Sequence, residues 1–470
     1  MPASKPAKMF RFFSSNHLIV CAKNLAPPPA LCYNVVDWSV IDMKAAFYTL
    51  GCKVNQYESE YMAELLRSAG FEIVSPDQEA DYYIVNSCTV TATADQKTRQ
   101  SVRRFKRRHP GATVILTGCM PQAFPEEAKA QLDADIVFSN KSDGDIFSII
   151  NRYHTEKSRI VDINAHQTGD PFAPCAISGF GQRVRAFVKI EDGCDRFCSY
   201  CIIPKSRGRV RSKAPADLEK EVQDLAAHGI KEIVLVGINL SAYGKGQDFD
   251  LLDAVAICDR TPGIARVRLG SLEPDHITDR MIAGLAKIEK FCPQFHISLQ
   301  SGCTKTLKSM NRHYTADEYA DLCRKLRAAF PGATLTTDMM TGFHEETEAD
   351  FEESLAFAKK IGFEKVHVFP YSQREGTAAS KRGDSVPRQE KERRAKKLIA
   401  ETDKLREAYF DGLVGQKAQV LVEQQQSNGT YTGYTRNYVP VTIHRRDLHI
   451  GDLVDVTITG VENADHCIAE

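Results

Sequence analysis

Short apolar runs recur along this chain, each followed by a stretch of helical periodicity, and this alternation limits the possible folds more than any other feature. From Met43, KAAFYTL (44–50) leads into an amphipathic segment through Ala69. YYIVN (82–86) precedes a basic helix through Arg108, and TVILT (113–117) precedes another short helix. The pattern predicts an α/β domain built on a doubly wound parallel sheet. A second series starts near Arg185: RAFVKI (185–190), EIVLVG (232–237), ARVRLG (265–270), FHISLQ (295–300), ATLTTD (333–338) and KVHVFP (365–370). Six such β/α units predict a partial (β/α)6 barrel, with its working face at the C-terminal ends of the strands. Residues 387–410 read as a charged helix with apolar positions at Ala395, Leu398, Ile399, Leu405 and Tyr409. Beyond Gly415, short strands and glycine turns predict a small β-barrel.

A chain of 470 residues is too long for one core. The expected partition is an extension over 1–42, a sheet domain over 43–165, a barrel domain over 180–408 and a β-barrel over 411–470. Lys+Arg and Asp+Glu are both 61, so no global charge draws the chain to nucleic acid. No apolar run approaches the ~20 residues that span a bilayer. The first acid is Asp37, and an acid-free start carrying Lys5, Lys8 and Arg11 is compatible with an organelle transit peptide. MKAAFYTLG at Met43 nevertheless reads as a natural protein start. Residues 1–42 are therefore expected to be a dispensable, disordered extension, and the protein to be a cytoplasmic monomer.

Fourteen cysteines are many for a chain with no secretory signal, and in a reducing compartment they point to metal ligation or buried thiols. Cys194, Cys198 and Cys201 form C-x3-C-x2-C in the loop after the first barrel strand. Cys52, Cys88 and Cys119 each follow a predicted strand of the first domain. Parallel strands end on one sheet edge, so these three are expected to meet there as a second trio. Structural zinc sites want four ligands, and neither trio has a fourth cysteine nearby or a histidine at finger spacing. A [4Fe-4S] cluster normally takes four cysteines; held by three, it keeps one iron open to a substrate. Core burial stays open as a reading of the Cys52, Cys88 and Cys119 trio. Cys21, Cys32, Cys175, Cys258, Cys292, Cys303, Cys323 and Cys467 have no evident partners and are taken as packing or incidental thiols.

The C-x3-C-x2-C loop on such a barrel resembles the radical S-adenosylmethionine enzymes. With the upstream trio and a terminal β-barrel, the chain from about Met43 onward resembles the methylthiotransferases. That resemblance implies two [4Fe-4S] clusters and S-adenosylmethionine. The cluster on Cys194, Cys198 and Cys201 would bind and reductively cleave S-adenosylmethionine to a 5'-deoxyadenosyl radical, fed by an external electron donor. The cluster on Cys52, Cys88 and Cys119 would carry the sulfur. Gly237, Asn239, Glu273, Gln300, Ser301 and Asp338, at the barrel strand ends, are expected to ring the cofactor. YTLGCKVNQYESE (48–60) is similar to the branch that methylthiolates C2 of N6-threonylcarbamoyladenosine at position 37 of tRNA. The isopentenyladenosine branch typically reads Cys-Gln-Met-Asn at this point, and the branch acting on a ribosomal-protein aspartate reads Cys-Pro-Lys-Asn. A non-catalytic iron–sulfur scaffold that binds RNA is the reading from another class.

Two basic stretches support RNA: Lys97, Arg99, Arg103, Arg104, Lys106, Arg107 and Arg108 on one helix, with no acid over 97–108, and Lys205, Arg207, Arg209, Arg211 and Lys213 after the cysteine loop. The last domain resembles the RNA-binding TRAM module. It holds four Lys/Arg against eight Asp/Glu, so any RNA face there would be local, around Arg436, Arg445, Arg446, Tyr431, Tyr434 and Tyr438. Its acidity keeps a protein substrate in view.

Overall fold

The computed structural model describes residues 43–181, 183–462 and 466–470. The expected extension lies outside the described residues. The first domain is a six-stranded sheet of β1 (Lys44–Thr49), β2 (Glu72–Val74), β3 (Tyr82–Ser87), β4 (Thr113–Gly118), β5 (Ile136–Phe138) and β6 (Ile160–Asp162), in the order β2-β1-β3-β4-β5-β6. All pairings are parallel. The central strand YYIVNS is buried along its whole length, as a sheet covered on both faces requires. Alternate residues feed two cores: Tyr82 and Ile84 enter one, Tyr83 and Val85 the other. Helices α1 (Lys53–Ser68) and α2 (Ala92–Arg108) follow β1 and β3, and the short α3 (Cys119–Ala123) follows β4.

The second series gives β7 (Arg185–Lys189), β8 (Glu232–Val236), β9 (Arg266–Leu269, continued by Ser271–Leu272), β10 (Gln294–Ile297), β11 (Thr334–Thr341) and β12 (Lys365–Pro370). Their pairings are parallel throughout. β7 and β12 are edge strands, so the barrel stays open along one side. A single apolar core fills the space between these strands and their outer helices. After β7, the cysteine loop runs into a short helix, α4 (Ile203–Arg207). The charged helix α5 (Arg388–Asp411) buries Ala395 and Leu398 and leads to the last module.

That module is a closed barrel of β13 (Lys417–Gln425), β14 (Tyr431–Thr435), β15 (Pro440–Ile443), β16 (Leu453–Glu462) and β17 (His466–Ala469). The β14–β15 turn lies against the N-terminal ends of the large barrel's strands. Arg266 donates to the Tyr434 and Gln419 carbonyls at 2.9 and 2.8 Å, and Arg268 to that of Arg436 at 2.8 Å. Glu232 balances Arg268 from the next strand at 3.0 Å. Tyr434 and Tyr438 stack at 4.5 Å with Arg185 over both rings. Arg436 is committed to the Glu289 and Phe291 carbonyls, Tyr431 is in the module's core, and Arg445 pairs with Asp447. The local RNA face expected around these residues is therefore mostly consumed by packing, and Arg446 alone of that set stays exposed without a described partner.

The two basic stretches are likewise corrected. On α2, Arg99, Arg103 and Lys106 meet Glu127, Asp133 and Asp135, and Arg104 lies over Tyr48. Acids distant in sequence supply the relief missing from the helix itself, leaving Lys97, Arg107 and Arg108. In the second stretch Arg207 and Lys213 are buried, and Arg211 pairs with Asp192 at 3.2 Å. Among the described residues no helix is long and apolar enough to cross a membrane.

Candidate active site

Just beyond β7, Glu191 and Asp192 pair antiparallel with Ser212 and Arg211 and so close a loop carrying Cys194, Cys198 and Cys201. Gly193 makes the turn possible. Its φ is +86°, and a Cβ there would lie 2.0 Å from the Arg209 carbonyl oxygen. The Cys194 amide donates to the Gly208 carbonyl at 3.0 Å, and the Cys201 amide to that of Cys198 at 3.0 Å. Phe197, inside the loop, holds a positive φ of 52°, which strains a bulky residue. Burial pushes the Cys201 thiol up to about 12, Cys198 adding to it, and raises Cys194 further. Neutral thiols are what such a pocket favours by itself; bound metal would hold them as thiolates.

The other trio forms as the sheet topology requires. Cys52, Cys88 and Cys119 lie beyond the C-terminal ends of adjacent β1, β3 and β4. Asn55 fastens this edge: its Oδ1 accepts from the Cys52 thiol at 3.3 Å, and its Nδ2 donates to Asn86 Oδ1 at 3.1 Å. Burial raises the Cys119 thiol to about 12 and raises Cys88, each also feeling Cys52.

A buried charged network ties the two trios together. Arg207 of α4, six residues after Cys201, donates from Nε to Cys119 Sγ at 3.3 Å. Its other nitrogens grip Glu58 of α1, Nη2 at 2.9 Å from Oε2. Lys189 of β7 reaches the same carboxylate at 2.9 Å, and Asp192 lies 3.5 Å from Lys189. Burial works against ionising Glu58, but Arg207 and then Lys189 outweigh it and hold the carboxyl below its ordinary range. At the first trio, Arg312 has the matching place. It donates to Cys198 Sγ at 3.3 Å and to Glu273, while Arg196 takes Asp275 bidentately at 2.6 and 2.7 Å.

The expected ring is only partly assembled. Asn239 and Gln300 are buried with Oδ1 and Oε1 unpartnered, as is Oε1 of Glu191. Gln300 holds a positive φ of 70°, pinned by the Asp338 carbonyl at 2.8 Å. Gly237 packs so close to Glu191 that a Cβ would meet its Oε2 at 2.6 Å, and that oxygen accepts the Asn239 amide at 2.7 Å. Burial raises the Glu191 carboxyl well above its usual range. Asp338 meets His296 at 3.2 Å on the inner face of the barrel. Glu273 is committed to Arg312. Ser301 departs from the expectation: its hydroxyl meets Ser354 at 2.9 Å, on the outer helix layer. Tyr200 and Tyr371 sit in an apolar cluster with Phe343. Sequence reading missed Glu191, Arg312, Arg207 and Glu58. Only Glu191 carried a local signal, two residues before the cysteine loop's glycine.

The donor set fits iron–sulfur clusters. Among the described residues no three such side chains close on one point as ligands of a single ion would. A cluster asks instead for one thiolate per iron. The unpartnered acceptors at the strand ends suit a polar cofactor bearing N–H and O–H groups.

Family models match in the order of the three modules: the uncharacterized protein family UPF0004 over residues 44–139, the radical SAM superfamily over 188–358 and the TRAM domain over 412–465. The chain is 37% identical over 419 residues to the threonylcarbamoyladenosine tRNA methylthiotransferase MtaB of Bacillus subtilis, covering 88% of this chain and 93% of that protein. The protein of that name from Thermotoga maritima is 38% identical, covering 83% and 89%. The tRNA-2-methylthio-N(6)-dimethylallyladenosine synthase of Clostridium novyi is 35% identical, covering 87% and 93%. Among solved structures, the radical S-adenosylmethionine methyltransferase TsrM from Kitasatospora setae superposes with a TM-score of 0.51 over 70% of this chain and 73% of that one. At 14% identity this likeness concerns the fold alone.

Proposed function

Because this chain belongs to the methylthiotransferase family of radical S-adenosylmethionine enzymes, we propose that it transfers a methylthio group to C2 of N6-threonylcarbamoyladenosine at position 37 of tRNA. The observation that carries this reading is the pair of cysteine trios, presented by two domains and joined through Arg207. Cys194, Cys198 and Cys201 would hold the cluster that meets S-adenosylmethionine, and Cys52, Cys88 and Cys119 a second cluster. When bound, these groups supply one-electron cleavage of the sulfonium, hydrogen abstraction and the sulfur to be transferred.

The chain's own groups have definable tasks. Asn239 and Gln300 offer buried acceptors to the cofactor's N–H and O–H groups. Glu191, whose carboxyl burial raises well above its usual range, fixes the turn after β8 by accepting the Asn239 amide. Arg312 and Arg207 donate to one thiolate in each trio, which localises negative charge and orients the ligands. The electrons come from an external one-electron donor, and the working form is a cytoplasmic monomer.

The test uses anaerobically reconstituted, reduced protein with S-adenosylmethionine and tRNA bearing threonylcarbamoyladenosine. Mass spectrometry of the digested RNA should show a methylthio gain that is absent in Cys198→Ala and in Cys88→Ala. Production of 5'-deoxyadenosine with unchanged RNA would overturn the substrate assignment and leave the radical chemistry standing. Dimethylallyladenosine RNA and the ribosomal protein would then be assayed in turn.

A further inference from the structure

A cavity of about 400 Å³, lined by both polar and apolar side chains, opens inside the large barrel, between the site just described and the floor made by the last module. That volume is within the range of small-molecule sites, roughly 300–1,000 Å³. All three modules line it: Lys53 from α1, His296, Thr336 and His367 from β10, β11 and β12, and Tyr438 from the β14–β15 turn. Lys53 has no hydrogen bond or ion pair among the described residues. Its ammonium lies 5.8 Å from the centre of the Phe187 ring and shares its surroundings with Arg185, Arg268 and the Glu232 carboxylate that those arginines hold. A half-buried ammonium with no ion pair of its own, beside a carboxylate already taken by two arginines, can take an anion. His296 bridges Thr336 Oγ1 at 3.0 Å and Asp338 at 3.2 Å, so the wall beside Lys53 is preorganised for hydroxyl and amide groups.

We propose that this cavity receives the threonylcarbamoyl substituent, with Lys53 as the counter-ion of its carboxylate and hence a specificity-determining residue. The inference rests on the function proposed above. Lys53 follows Cys52 directly in the chain, and in adenine only N1 separates C2 from the carbon that bears N6. A base whose C2 is presented at the Cys52 trio therefore sends its N6 substituent away within a few bonds. The barrel interior, reached by Lys53, is the space available to it. The threonyl hydroxyl and the urea N–H groups find Thr336 and His296. An apolar dimethylallyl group would leave Lys53 desolvated and unpaired, so the cavity selects by rejection as well as attraction.

The test measures binding of anticodon stem–loop RNA carrying threonylcarbamoyladenosine or plain adenosine at position 37, to wild type, Lys53→Met and Lys53→Arg, by fluorescence anisotropy. Wild type should prefer the modified loop by about ten- to a hundredfold, the span of a charge-assisted contact. Lys53→Met should erase that ratio while its affinity for the plain loop and its iron content stay at wild-type values. Lys53→Arg should retain part of it. A Lys53→Met protein that keeps the preference overturns the inference. So does a wild type that methylthiolates the modified loop yet binds both loops equally. A wild type that methylthiolates dimethylallyladenosine RNA and leaves threonylcarbamoyladenosine untouched overturns the functional reading, and the cavity's assignment with it.

Discussion

Replacing Glu58 by Gln removes one charge from the seam between the first domain and the barrel. Among the described residues, Asp192 is then the carboxylate left within ion-pair range of Arg207 and Lys189, at 3.7 and 3.5 Å, while both cations remain buried. Breaking a buried pair by deleting one partner costs about 3–5 kcal/mol, because the abandoned charge stays desolvated. Asp192 takes up part of that, so about 3 kcal/mol is expected, or roughly a hundredfold in the equilibrium for opening the seam. Hydrogen exchange followed by mass spectrometry reads this directly, since protected amides exchange in proportion to local opening. Peptides covering α1 and α4 should exchange roughly a hundred times faster in Glu58→Gln, and those of the terminal β-barrel should not change. Adding Arg207→Met removes the stranded cation and should restore most of the protection. The folded Glu58 carboxyl lies below its unfolded value of about 4.3, so its contribution is complete above that pH and is lost as pH falls through the folded value. If Glu58→Gln exchanges within about threefold of wild type, or the double variant is no slower than the single, the seam is not held by this network.

Arg312→Met should shift the reduction potential of the cluster on Cys194, Cys198 and Cys201 to more negative values in a redox titration followed by electron paramagnetic resonance, because a donor to Cys198 Sγ is lost. Gly193→Ala, which drives a Cβ into the Arg209 carbonyl at a φ of +86°, should lose the iron of that cluster and keep the other, seen as about half the wild-type iron content. Asn239→Ala should weaken S-adenosylmethionine binding in equilibrium dialysis, whereas Ser301→Ala, whose hydroxyl faces Ser354, should leave it unchanged. Burial raises the Glu364 carboxyl to about 7, so the folded state binds its proton more tightly than the unfolded one. Its contribution is complete below about pH 4.3 and is lost as pH rises to 7, so Glu364→Gln should gain stability over wild type between pH 5 and pH 8, by up to about 3 kcal/mol, in thermal melts at the two pH values.

All six barrel strands were legible, because each is a short β-rich run bounded by helical periodicity and falls within about three residues of its expected bounds. So was the meeting of Cys52, Cys88 and Cys119 at one sheet edge, since parallel topology alone dictates it. The three-residue strands β2, β5 and β6 escaped notice, being too short to show a period. The charged residues were the least legible. Arg207 and Lys213 look like a solvated basic patch in sequence, and their acids, Glu58 and Glu221, lie 149 and 8 residues away. Arg104 is settled by Tyr48, and Arg312 by Glu273 and Cys198, all through tertiary approach. Spacing reveals ligands that share a loop; it says nothing of a counter-ion delivered by another domain.

The docking of the β14–β15 turn bears on how the last module should be studied. Deleting residues 411–470 would strip the carbonyl acceptors from Arg266 and Arg268 and the stacked tyrosines from Arg185, exposing the base of the catalytic barrel to water. Lost activity in such a truncation would reflect a collapsed scaffold as readily as a lost RNA grip. Single substitutions at exposed positions such as Arg446 ask the question without dismantling the enzyme.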